Sequence, residues 1–287
     1  MANNHVSFRV LKNITAPFVR LKYKLHIENS SIVPKSGPII ICSNHLHKRD
    51  QLTVYYSTNR TIHYMAKKEY FLHQPTKTIY KLWGAVPTDR ENGKEAMDMC
   101  QSLLEQGEAI GIFPEGTRNS LKPSEIEQIY HDHSCFSEMS FGSFQQLVRK
   151  SNPKVSQINY LKTLCDTGVI DSSTYEEFLL TPDRLLSELL SNKTITQFDY
   201  DNSLLLPLKY GAVKLAQKTG ATIVTSAGDG NFDSGIVKFA YGDLIKIPSD
   251  ATDQELSQYN EQIRQSIIRT YKNLIETKNN VESLLMR

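Results

Sequence analysis

The chain has no apolar run approaching the ~20 residues that a membrane-spanning helix needs, no Cys-x-x-Cys pair, no internal repeat and no low-complexity tract. The first absence argues against a spanning segment. The N-terminus also lacks the charged, apolar, small-residue order of a secretory leader, so a cytoplasmic protein is expected. Only four cysteines occur, Cys42, Cys100, Cys135 and Cys165, and their wide spacing reads as reduced thiols rather than a disulfide or zinc framework. Cys42 closes an apolar run and reads as packing, not as a nucleophile. No nucleic-acid-binding module is present. Gly228 and Gly230 lie between two strand-like segments, so they form a turn and not a phosphate loop. His131-Asp132-His133 alternates ligand types in a polar stretch with no matching second pair, and reads as solvent-facing rather than as a metal centre.

Acidic residues are missing from one place in particular. Residues 6–27 carry Arg9, Lys12, Arg20, Lys22 and Lys24 and no acid, while Leu11, Ile14, Phe18, Leu21 and Leu25 recur at helical spacing. Two readings stand side by side: an interfacial membrane helix, or a helix that packs its stripe on the core. Pro17 is expected to kink the segment or start a second helix. Acids are concentrated elsewhere. Residues 120–203 hold 7 basic and 12 acidic side chains, a net charge of −5, against +2 for the whole chain. The remainder is therefore basic, which suits an anionic substrate or membrane surface.

What is present is an alternation of short apolar runs with amphipathic stretches. Pro38-Ile39-Ile40-Ile41-Cys42 reads as a buried strand and leads into Ser43-Asn44-His45-Leu46-His47-Lys48-Arg49-Asp50. A carboxylate held on one imidazole nitrogen fixes the tautomer and stabilises the cation formed when the other nitrogen takes a proton. His45 and Asp50 could thus form a general base acting on a hydroxyl. On an ideal helix, residues five apart lie some 140° apart, so the chain from Asn44 to about His47 is expected not to be regular helix. Two further strand ends deliver a cation: Trp83 to Arg90, and Ala109-Ile110-Gly111-Ile112-Phe113 running into Pro114-Glu115-Gly116-Thr117-Arg118. Parallel α/β sheets gather ligand groups at the carboxyl ends of strands, and arginine suits bidentate phosphate binding. The conjunction points to deprotonation of a hydroxyl on a phosphate-bearing substrate.

In this order, Asn44-His45-x4-Asp50, Gly84 to Arg90 and Phe113 to Arg118 resemble the sequence blocks of the glycerolipid acyltransferases, above all the 1-acylglycerol-3-phosphate O-acyltransferase family. Ala66-Lys67-Lys68-Glu69 and Leu205 to Ala212 resemble further segments of it. The resemblance covers roughly residues 8–119 and 204–245. It implies an α/β fold with a mixed, largely parallel central sheet flanked by helices, spanning 28–118 and 204–287. Residues 1–27 would form an amphipathic N-terminal segment, and 119–203 an acidic, mostly helical insertion. It also implies acyl transfer from an acyl thioester, acyl-CoA or acyl-carrier protein, to a lysophospholipid at the cytoplasmic face of a membrane, without metal, cofactor or nucleic acid. His45 would be the base and Asp50 its partner. Arg118, Arg90 and Lys68 would hold phosphate, Glu115, Gly116 and Thr117 would form the substrate loop, and Asn44 would shape the turn. The family usually has a short loop where 119–203 stands, and a proline where Thr225 stands. Both departures bear on the acceptor, so glycerol 3-phosphate or another lysolipid remains open, as does a non-catalytic lipid-binding protein.

Overall fold

The computed structural model describes residues 2–89, 93–133, 136 and 138–285, with side chains between 5 and 275. The first part of the chain supplies α1 (Ala2–Lys22), β1 (Lys24–Glu28), β2 (Ile39–Ser43), α2 (Asp50–Ser57), β3 (Ile62–Lys67), α3 (Thr76–Leu82), β4 (Val86–Thr88), α4 (Gly93–Glu105) and β5 (Ala109–Ile112). Helices α5 (Pro123–Asp132), α6 (Phe141–Ser151), α7 (Val155–Asp166), α8 (Ser172–Phe178), α9 (Pro182–Ser191) and α10 (Gln197–Ser203) follow. The chain then closes with α11 (Gly211–Thr219), β6 (Thr222–Gly228), β7 (Ile236–Ile245) and α12 (Asp253–Leu285). These elements form two compact units, Met1–Gly116 with Leu208–Arg287, and Thr117–Pro207.

The first unit is built on a seven-stranded sheet of order β1-β7-β6-β2-β5-β3-β4. The neighbours from β6 to β4 all pair in parallel, β6 and β7 pair antiparallel, and β1 is parallel to β7. The sheet is thus mixed and largely parallel. Its centre is β2, whose residues Ile39 to Ser43 are all buried. That explains a continuous apolar run where a half-exposed strand would alternate. Because β2, β5, β3 and β4 run the same way, the loops after Ser43, Ile112, Lys67 and Thr88 emerge along one edge.

Three expectations change. The sequence pattern predicts short strands over 235–240 and 244–247, and the structure has one ten-residue strand, β7 (Ile236–Ile245). A register shift between Val224 and Ser226 acts as a bulge and absorbs the irregularity around Gly242. Pro17 neither divides nor ends α1. The carbonyl it leaves without its helical donor belongs to Asn13, an exposed residue. The third change concerns the apolar stripe of α1. Val6, Val10, Ile14, Phe18 and Leu21 are exposed, Leu21 by 89%, Leu11 is half-buried, and Leu25 lies in β1. The opposite face docks. Phe8 is buried against Tyr55. His5 bonds Thr61 and Glu108 (3.0 and 2.9 Å), Lys12 Nζ donates to Thr58 O (2.6 Å), and Thr15 shares a hydrogen bond with Tyr56 (2.5 Å). At about 100° per residue, these groups sit across the helix from the stripe. α1 therefore packs mainly by its polar face and shows its apolar face to solvent.

The second unit has its own apolar interior, with Leu161 and Leu186 at the centre of one cluster and Phe144 and Leu179 at the centre of another. Asn119 ties its ends: Ser156 N–H donates to Asn119 Oδ1 (2.9 Å), and Asn119 Nδ2 donates to Ser156 Oγ (2.8 Å) and Leu204 O (3.2 Å). His133 is half-buried, with Nδ1 3.4 Å from Glu176 and its ring near Phe136 and Tyr175. The expectation that it faces water is corrected. Its ring is amphipathic and finds an aromatic wall. Among the described residues no cluster of three histidine, cysteine or acidic side chains could hold a metal ion.

Candidate active site

The loop between β2 and α2 is irregular from Asn44 to Lys48, and α2 begins at Asp50. The expected departure from helix is present, and its cause is Asp50. One carboxylate oxygen, Oδ2, accepts from His45 Nδ1 (2.9 Å), Leu46 N–H (2.8 Å) and His47 N–H (2.7 Å). Two backbone donors turned onto a carboxylate bend the chain, and that bend carries the imidazole back to the same oxygen. Because a carboxylate only accepts, His45 carries its proton on Nδ1 and presents Nε2 as the basic nitrogen. Charge-assisted bonds of this kind are about twice as strong as neutral ones.

Three further contacts fix the histidine. Glu115, buried, accepts the His45 backbone N–H at 2.7 Å. The imidazole stacks on Phe113, ring centres 4.0 Å apart and planes 10° from parallel. Phe113 in turn stacks on Tyr64 at 5.2 Å. Asn44, buried at the end of β2, exchanges two bonds with Gly228 at the end of β6: Nδ2 to the carbonyl at 2.9 Å, and Gly228 N–H to Oδ1 at 2.8 Å. It closes the sheet edge under the loop. Arg264 of α12 is half-buried. Burial lowers its guanidinium pKa, while the charges of Glu261 and Glu115 oppose that shift.

The remaining expected site residues are placed less evenly. Gly116 ends the first unit in a left-handed conformation, φ +71°, and the side chain of Lys209 lies against it. Lys68 is exposed in the turn after β3, on the same sheet edge as His45. Thr117 and the exposed Arg118 open the second unit. Arg90 lies outside the described residues. Thr225 is not a site residue. It is fully buried, its hydroxyl accepting from Asp243 N–H (2.7 Å) and bonding Ser266 of α12 (2.6 Å), so it clamps the β6–β7 bulge. Tyr64 and Arg264 carry no sequence signal, and Phe113 and Lys209 figure in the sequence only within the blocks Phe113 to Arg118 and Leu205 to Ala212. For Phe113 the signal was there, an aromatic residue directly before the loop, but nothing in the pattern showed that it lies under the histidine.

A family model described as Acyltransferase matches residues 24–227, more than half of the chain. This chain belongs to the Acyltransferase family. It is similar to the 1-acyl-sn-glycerol-3-phosphate acyltransferase of Bacillus subtilis (strain 168), 32% identical over 115 residues, which are 39% of this chain and 58% of that protein. The match therefore spans little more than half the length of that relative. A probable 1-acyl-sn-glycerol-3-phosphate acyltransferase of Mycoplasma genitalium is 26% identical over 213 residues, 69% of this chain and 73% of its own length. The fold is similar to the crystal structure of the 1-acyl-sn-glycerophosphate (LPA) acyltransferase PlsC from Thermotoga maritima, with a TM-score of 0.54 at 13% identity, covering 94% of this chain and 79% of that one. The irregular turn, the His45–Asp50 hydrogen bond and the Glu115 anchor are the geometry that this chain sets at the end of β2.

Proposed function

We propose that the protein transfers a fatty acyl group from an acyl thioester to the free hydroxyl of 1-acylglycerol 3-phosphate, giving phosphatidate. The observation that carries the proposal is the Nδ1–Oδ2 bond of 2.9 Å between His45 and Asp50. It leaves Nε2 to take the acceptor's hydroxyl proton as the oxygen attacks the thioester carbonyl. The carbon–sulfur bond then breaks, and the thiolate leaves with the proton that His45 returns. Asp50 stabilises the imidazolium between those two events. Arg118, Arg90 and Lys68 are proposed to hold the acceptor phosphate, and Glu115 to keep the His45 backbone in place. The similarity to acyltransferases of Bacillus and Mycoplasma named for this acceptor supports it. The donor is an acyl-CoA or an acyl-carrier protein.

Work at the cytoplasmic face of a membrane is part of the proposal. It is supported by the outward apolar stripe of α1 and by Arg9, Arg20 and Lys22 on the same helix. No described helix is long and apolar enough to cross a membrane.

The test is purified full-length protein with lysophosphatidate in mixed vesicles and each donor in turn, products identified by mass spectrometry. Wild type should form phosphatidate and His45→Ala should not, with unchanged circular dichroism. Product from glycerol 3-phosphate or another lysolipid, and none from lysophosphatidate, would move the acceptor. No product from any acceptor, with vesicle binding intact, would leave a lipid-binding protein.

A further inference from the structure

A cation with no assigned role lies against the loop after β5. Lys209, the second residue after the return from the second unit, donates its backbone N–H to Pro114 O at 2.8 Å. Its side chain then runs across Gly116. A β-carbon on residue 116 would lie 2.6 Å from Lys209 Cε, 2.8 Å from Nζ and 2.9 Å from Cδ. A side chain at 116 would push the end of the lysine aside, so the glycine leaves room for the ammonium there. Gly116 also has φ +71°, which an L-residue adopts only with strain. Among the described residues Lys209 forms no ion pair. The same short loop holds Phe113 under the His45 ring and Glu115 on the His45 backbone. A positive charge with no ion pair among the described residues thus lies against the strip of chain that holds the His45 backbone.

We propose that Lys209 binds the phosphomonoester of the acceptor and that Gly116 is the seat that aims it. The inference rests on the acyl-transfer reading and deepens it. In a glycerol phosphate only a few bonds separate the reacting hydroxyl from phosphorus, so the cation that reads the phosphate has to stand close to the base. The phosphates of a thioester donor lie a long pantetheine arm from its carbonyl, so a cation on the loop that holds His45 serves them poorly. Lysine is a compact point charge with three donors, suited to a phosphate dianion that is still partly hydrated.

The experiment compares full-length wild type with Lys209→Gln and Lys209→Arg. In steady state, Lys209→Gln should raise KM for lysophosphatidate about tenfold or more, the size of one lost hydrogen bond to a charged group. The loss on kcat, and on a monoacylglycerol of the same chain length, should be severalfold smaller, and Lys209→Arg should recover most of it. An equal loss on both acceptors would make Lys209 a structural clasp and overturn the proposal. A rise confined to the donor's KM would overturn it too. A second measurement needs no turnover: ¹⁵N-labelled protein is titrated with glycerol 3-phosphate. The Gly116 amide should shift in wild type and stay still in Lys209→Gln; a Gly116 amide that does not respond in wild type would sink the assignment. If wild type acylates no phosphate-bearing acceptor, the acyl-transfer reading fails, whereas a Lys209-dependent shift at Gly116 still supports the anion seat.

Discussion

Asp50 accepts on Oδ2 two backbone N–H groups and an imidazole N–H, so it shapes the loop and sets the tautomer together. Asp50→Asn presents an amide that can still accept through its oxygen but carries no charge to hold the imidazolium. We expect kcat to fall about 10²–10⁴-fold, the range of a lost general base, with KM for the acceptor little changed; single-turnover kinetics on purified protein would read it. The cysteines give a simpler check. Burial pushes the thiols of Cys42 and Cys100 up to about 12. Both should stay protonated and resist iodoacetamide at pH 8 in the native state, and react in denaturant, as peptide mass mapping would show. The spacing from His45 to Asp50 was legible in the sequence because the pair is local. Lys209 was not, because Gly116 and Lys209 meet only after a long excursion of the chain, and no periodicity links them.

At the scale of elements, the strands and helices that carry the site follow from local pattern, while the faces they use do not. The period of apolar residues predicts α1 but cannot say which side docks. That side is decided by Phe8, His5, Lys12 and Thr15 finding partners on the body. The stripe left outside should hold the protein to lipid. Phe18→Glu with Leu21→Glu replaces two exposed side chains, so stability should change by no more than about 0.5 kcal/mol per substitution. Co-sedimentation with anionic vesicles should fall at least tenfold, and unchanged sedimentation would dismiss the membrane face. Gly111 in β5 offers the opposite case. Its strand is wholly buried, and a β-carbon there would lie 2.1–2.5 Å from ring atoms of Tyr64. Tyr64 supports Phe113, which supports His45. Gly111→Ala should therefore cost about 1–3 kcal/mol from overpacking and lower kcat through the displaced stack. Thermal melts should show part of the stability restored by adding Tyr64→Leu.

Across the whole molecule, the alternation of apolar runs and helical stretches pointed to an α/β sheet, and the family resemblance to a mixed, largely parallel one. The part that did not follow is the end of the sheet where β7 and β1 run against β6. There the chain passes through Gly242 and a bulge, and Thr225, Ser266 and Asp243 hold that bulge against α12. Such a clamp joins residues from three elements far apart in sequence, so a proline-to-threonine change read one position at a time points to the ligand rather than to α12.

The bond from Lys209 N–H to Pro114 O also has a consequence for how the chain can be cut and rejoined. The body's two crossing points, Gly116 and Leu208, flank that bond and belong to the same compact unit. In topological terms the second unit is a graft on a stem whose own ends are joined by a hydrogen bond. Loop-closure entropy grows only slowly with length, so shortening the excursion should be tolerated by the sheet. A chain in which residues 117–207 are replaced by a few glycines and serines should fold with a single cooperative melt and retain the circular dichroism of a mixed α/β sheet. Failure to fold would show that the stem is held shut by the graft.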